Sequence, residues 1–190
     1  QLSLANLKLE LGNYNAALRI LEEGTFHPWE LWTGARRAYH TGHYCRGIER
    51  MIEGTYYSAI EDFMAVEIFP RNLGTGKRHD AKFPRENYFA GVCYEKLGQT
   101  SKAEELYRTV SQYSFSAYSE DNCFKGLALK RLDNPDYKAV LHDVLDGVRE
   151  RLERNENDAN ALYLKGLANY GLDFEQKAQD ALRKCLEANP

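Results

Sequence analysis

Residues 88–110, YFAGVCYEKLGQTSKAEELYRTV, carry a pattern that recurs along the chain. Tyr88, Gly91, Val92 and Tyr94 recur at helical spacing up to Leu97-Gly98, which stops a first helix. A second helix begins at Thr100 or Ser101, whose hydroxyls can accept from a free backbone N–H, and carries Ala103, Leu106, Tyr107 and Val110 on one face. Ala103 is expected to face the first helix, where a small side chain lets two backbones approach. The stretch is a helical hairpin, and copies of it on either side predict an all-α chain.

Upstream, Leu2, Leu4, Ala5 and Leu9 lead into Leu11-Gly12-Asn13-Tyr14, and Ala17, Leu18 and Leu21 follow. A longer helix from Ala35 to Glu53 ends at Gly54, and its partner from Tyr56 to Phe69 turns Ala59, Phe63 and Val66 inward. Between these hairpins GTFHPWELWTG (24–34) reads as an inserted loop, and PRNLGTGKRHDAKFP (70–84) reads as a second. The inward alanines agree: Ala17 to Ala59 is 42 residues and Ala59 to Ala103 is 44, against about 34 for an uninterrupted helical repeat. The excess is close to the size of each insertion. From Ala103 to Ala178 the interval is 75, which two units explain and one does not. A degenerate hairpin is therefore expected at 117–154, with Gly126 at its close contact, Asp133-Asn134-Pro135 as its turn, and Val140, Leu141, Val144, Leu145, Val148 and Leu152 on its second helix. The hairpins are expected at 1–24, 35–69, 85–113, 117–154 and 158–190, forming one elongated domain.

The formal net charge is −3 over 190 residues, which lacks the basic excess of a nucleic-acid binder. Charges interrupt every apolar run well short of the roughly 20 residues of a membrane span, so neither nucleic acid nor membrane is an expected partner. The chain opens at Gln1 inside a helical pattern and is expected to be a piece of a larger protein; its start identifies no compartment. Leu2, Leu4 and Leu9 are expected as an apolar patch through which two copies could pair.

Leu11-Gly12-Asn13-Tyr14 with Ala17, Gly54-Thr55-Tyr56 with Ala59, Leu97-Gly98 with Ala103, and Gly166 with Ala178 and Pro190 together resemble the tetratricopeptide repeat across nearly the whole chain. FHPWE at 26–30 and PRNLGTGK at 70–77 further resemble the helical portion of bacterial proteins carrying the domain DUF5107, although Leu31-Trp32 stands where that family has a Gly pair. The resemblance implies a right-handed α-α superhelix of about five hairpins, with two inserted loops and one degenerate repeat. It also implies a non-catalytic scaffold whose first helices line a concave groove for a peptide or partner domain, and no cofactor. The alternative is a helical module that completes or regulates an upstream carbohydrate-active or carbohydrate-binding domain.

On that geometry Tyr44 and Ile48, Arg85, Tyr88 and Val92, Cys123 and Lys130, and Asn160, Tyr163 and Leu167 face the groove. Arg85 and Lys130 would pair a carboxylate of an extended peptide or acidic tail. The competing reading is that Tyr44, Tyr88 and Tyr163 pack between repeats. Phe26, His27, Trp29 and Trp32 are candidate contacts of the first inserted loop, where His27 and Glu30 beside Trp29 raise acid–base chemistry on a sugar, and anchoring of the loop is the better reading. His40, His43 and Cys45 do not form a metal set, because Cys45 lies about 200° around the helix from His43. Gly74-Thr75-Gly76-Lys77 lacks the spacing of a nucleotide-cradling loop. Cys45, Cys93, Cys123 and Cys185 form no CxxC pair and are expected as free thiols, and RERLERNE (149–156) as a solvated face.

Overall fold

The computed structural model describes residues 1–27, 34–77 and 79–188 of the chain. Among them lie ten α-helices, one 3-10 turn and no strand. The helices are α1 (Leu2–Glu10), α2 (Tyr14–Glu23), α3 (Gly34–Ile52), α4 (Tyr56–Ala65), α5 (Pro84–Lys96), α6 (Thr100–Ser111), α7 (Glu120–Arg131), α8 (Tyr137–Arg154), α9 (Ala159–Gly171) and α10 (Glu175–Ala188). The fold is an all-α repeat of helical hairpins.

One device stops every odd-numbered helix. Gly12, Gly54, Gly98, Asp133 and Asp173 all have positive φ, between 54° and 80°. In each turn that residue donates back three positions, and the next donates back five: Asn13 N–H to Lys8 O, Thr55 to Arg50, Gln99 to Tyr94, Asn134 to Leu129 and Phe174 to Asn169. This pair of bonds satisfies carbonyls that the helix end leaves open and turns the chain into the second helix. Glycine adopts the left-handed conformation freely; aspartate does so at a cost its short polar side chain reduces. The last two turns, which carry Asp, are therefore the ones a glycine pattern does not find.

Contacts gather the chain into two compact units, Gln1–Ala103 and Glu104–Pro190. In the first, α1 to α5 pack in sequence, and α1 also meets α3. Ala5, Leu18, Leu21, Ala35, Ala38, Tyr39 and Leu73 form one cluster, with Leu2, Leu9, Ile20 and Phe26 against it. Ala17, Ala59 and Ala103 are each wholly buried, as small inward residues must be. In the second unit α7, α8 and α9 are mutually packed and α9 pairs with α10. Cys123, Leu141, Val144, Val148, Ala161, Leu164 and Ala168 are its core. A Cβ on Gly126 would stand 2.5 Å from Leu141 Cδ2, and one on Gly166 would stand 2.5 Å from Leu182 Cδ2.

Several expectations change. Leu2 and Leu9 pack against the first cluster, so the exposed stripe of α1 is Leu4, Leu7 and Leu11. α4 stops at Ala65 rather than Phe69, because the Arg36 guanidinium takes the Val66 carbonyl and Pro70 follows closely. α7 starts at Glu120 rather than Ala117, since Ser119 caps it by accepting from Asn122 N–H at 3.1 Å. RERLERNE is only partly a solvated face: Arg151 clamps Asp158, itself the N-cap of α9, at 2.8 Å. The second inserted loop works as a cap. Asn72 donates to the carbonyls of Leu21 at 2.8 Å and Gly24 at 2.7 Å, closing the end of α2, and Asn72 O accepts from Phe26 N–H at 2.7 Å. No helix among the described residues is long and apolar enough to cross a membrane.

Candidate interaction site

α3 carries a charged ladder at helical spacing: His40, His43, Arg46 and Arg50. Two acids from neighbouring helices meet it. Asp62 of α4, 1% exposed, accepts from His43 Nδ1 at 2.7 Å, Arg46 Nη2 at 2.7 Å and Arg50 Nη1 at 2.8 Å. Arg46 Nη1 continues to Asn15 Oδ1 of α2 at 2.8 Å, so one buried carboxylate ties three helices. Burial alone would push the Asp62 carboxyl up; the bonds from His43 and Arg46 and the charges of Arg46 and Arg50 hold it below its ordinary value. Asp62 is sealed from any ligand, and its partners neutralise it, as a buried charge requires.

Glu86 of α5 makes the second knot. Its Oε1 takes His40 Nε2 at 2.8 Å and Arg85 Nη2 at 2.9 Å. Burial raises this carboxyl, and the His40 bond and Arg85 charge overcome that and keep it low. Arg85 in turn lies 3.8 Å from the Tyr44 ring centre, in cation–π contact. Tyr44 touches Phe63 and Phe89, with ring centres 6.4 and 6.2 Å away. Like the cations around Asp62, the partners of Glu86 reach the surface: the side chains of His40 and Arg85 are 32% and 24% exposed, those of Arg46 and Arg50 17% and 29%. The Arg85 guanidinium thus lies over an aromatic ring and is paired with a buried glutamate.

Of the residues the sequence placed in a groove, Tyr44 and Arg85 come together here, and Ile48 stands one turn beyond Tyr44 on α3, half-buried. Val92 is half-buried on α5, while Tyr88 is buried, its ring 5.6 Å edge-on to Phe89. In the second unit the candidates have structural partners. Lys130 donates to Gly171 O at 2.8 Å and Asp173 Oδ1 at 2.5 Å, capping α9. Asn160 is exposed and accepts from Arg151 at 3.1 Å, and Tyr163 donates to Glu120 at 2.9 Å; Leu167 packs on the core. Cys123 is wholly buried, its thiol pushed up to about 12 by burial, so it lines a core and not a groove. Phe26 packs on the first cluster and His27 is exposed, whereas Trp29 and Trp32 lie outside the described residues, as do Pro28, Glu30 and Pro190.

His40 and Glu86 were not among the sequence candidates. The signal was Glu86, an acid on the inner side of a helix beside Arg85, and Asp62, which stands three residues after the inward Ala59. The four cysteines are free, and among the described residues no group of three or more His, Cys, Asp or Glu side chains is placed to hold a metal.

A family model described as tetratricopeptide repeat matches residues 159–190, the α9–α10 hairpin. Among solved structures, the crystal structure of YrrB, described as a TPR protein with an unusual peptide-binding site, aligns over 100% of this chain and 84% of its own, at 18% identity and a TM-score of 0.35. No curated protein matches the chain in sequence.

Proposed function

We propose that the chain is a non-catalytic protein-interaction scaffold whose first unit receives an extended peptide, or a segment of a partner domain, along α3 and α5. The single observation that carries this is the Arg85 side chain, stacked on Tyr44 and braced by Glu86 and His40 while still reaching the surface. Tyr44, Ile48 and Val92 would supply the apolar contact and Arg85 with His40 the contact to a carboxylate of the occupant. The tetratricopeptide match of the last hairpin supports an interaction role, and the two buried carboxylates support an absence of chemistry, since each is charge-compensated and Asp62 is out of reach of substrate. Lys130, Asn160 and Tyr163 belong to the second unit, where each already has a partner, and are no part of this contact.

The test is selection of peptides from a displayed random library on the immobilised chain, followed by affinity measurement on Arg85→Ala, Tyr44→Ala and the distant control Arg108→Ala, with circular dichroism confirming the fold. The expected result is a family of carboxylate-bearing peptides that lose at least tenfold in affinity with Arg85→Ala and Tyr44→Ala and keep it with Arg108→Ala. Peptides indifferent to both substitutions overturn the reading. An empty selection shifts it to the alternative, a helical module that completes or regulates an upstream carbohydrate-active or carbohydrate-binding domain.

A further inference from the structure

Arg36, in the first turn of α3, is a buried cation to which no acid among the described residues is bonded. The residue is 8% exposed, and its Nη2 donates to the carbonyl of Val66. Nε and Nη1 are buried and have no hydrogen-bond partner. The rings of Phe69 and Tyr39 stand 4.1 and 5.7 Å from the guanidinium carbon, covering the cation without neutralising it. Glu86 is an acid whose charge does reach it, but that carboxylate is already bonded by His40 at 2.8 Å and Arg85 at 2.9 Å. Burial lowers the Arg36 pKa from the ordinary guanidinium value, the direction that an incompletely compensated cation takes.

Structural duty does not account for this side chain. A guanidinium carries five N–H donors, and the bond to Val66 uses one nitrogen, so the interior holds a charge and two orphan donor atoms for a single contact. Buried charges are kept where they are paired, and buried donors where they are bonded. The position adds to the imbalance. Arg36 lies at the start of a 19-residue helix whose first turn has no acid, and the partial positive charge of a helix N-terminus disfavours a cation there and favours an anion.

We propose that Arg36 anchors a carboxylate-binding site at the start of α3, separate from the Arg85 contact and independent of the peptide reading. The carboxylate accepts from the open guanidinium donors and supplies the negative charge that the first turn lacks. Charge decides for a monoanion: one guanidinium and the partial charge of one helix end are balanced by one negative charge, whereas a phosphate dianion would leave a surplus against Phe69 and Tyr39. Exposure of 8% decides for a small head group. A free small acid and a glutamate side chain present that same group.

The test follows thermal unfolding of the full chain at pH 7 while sodium acetate, N-acetylglutamic acid α-amide or sodium phosphate replaces sodium chloride at constant ionic strength. Each shift is taken relative to Arg36→Met, which cancels the general effect of the salt. A carboxylate should raise the melting temperature saturably, by about 5 °C at a hundredfold excess over its Kd, and the exposed neighbour Arg37→Met should keep that rise. The ¹⁵N signal of Arg36 Nε in the unaltered chain should move with the same saturation, which reads the site even where Arg36→Met fails to fold. A response to acetate alone supports a free small acid as the ligand, and a response to the glutamate derivative alone supports an acidic side chain. Shifts equal in Arg36→Met, an Arg36 Nε signal that neither carboxylate moves, or a larger Arg36-dependent shift with phosphate each overturns the proposal.

Discussion

Asp62 is a point of leverage on stability, because His43, Arg46 and Arg50 of α3 converge on one carboxylate that water does not reach. Replacing it with Asn leaves His43 buried and two guanidinium groups without their counter-ion. Arg46 and Arg50 are partly exposed and rehydrate, so the expected loss is about 3 kcal/mol, the low end for breaking a buried pair, read from urea unfolding. The same carboxylates set the acid limb. Asp62 and Glu86 both have folded-state pKa values below their unfolded ones, so their stabilisation is fully present above the unfolded pKa of about 4 and disappears as pH falls through the folded values. The melting temperature should hold between pH 7 and 5 and drop below about pH 4, less steeply in Asp62→Asn; an equal slope in both would show that Asp62 does not carry it. None of this was legible as a network in the sequence. His40, His43, Arg46 and Arg50 show one helical face, but which acids meet them depends on how α4 and α5 lie against α3, and spacing along one helix does not contain that.

The turn that ends each odd-numbered helix has the same two backbone bonds in all five hairpins, and its occupant separates the regular repeats from the others. Leu11-Gly12, Gly54 and Leu97-Gly98 were readable because glycine marks the left-handed position. The turn at Asp133-Asn134-Pro135 was readable from its Asp, Asn and Pro though not its left-handed residue, and Asp173 was not readable, since aspartate suits several turn positions. At Asp133, with φ 54°, glycine removes the left-handed cost without removing a side-chain contact, so Asp133→Gly should raise stability by up to about 1 kcal/mol in thermal unfolding. The same change at Asp173 also deletes the Lys130 partner and should gain less. The close approaches were readable as well: Gly126 was expected at a contact, and its Cα indeed abuts Leu141. Gly126→Ala should cost about 1–3 kcal/mol by overpacking. Adding Leu141→Ala should leave the double variant less destabilised than the sum of the two single changes; an additive loss would show that the two side chains do not share that space. Helix ends were harder to read, because Ser119 and the Arg36–Val66 contact belong to neighbouring segments.

At the scale of the whole molecule, repetition in phase made the all-α hairpin architecture legible from one stretch, while the packing around the candidate residues was only half legible. Tyr44 and Arg85 were chosen as neighbours on two first helices and do stack; Lys130 and Tyr163 were chosen by the same rule and instead bind within their own unit. The rule gives the helix face, and only the structure gives what that face already holds. The central claim is that α3 and α5 of the first unit receive a peptide. It is tested most directly by amide hydrogen exchange on the full chain with and without a library-selected peptide. Exchange should slow at residues 40–48 and 85–92, and Arg85→Ala should remove that protection. Slowed exchange confined to 145–184, or none at all with binding intact, would contradict it.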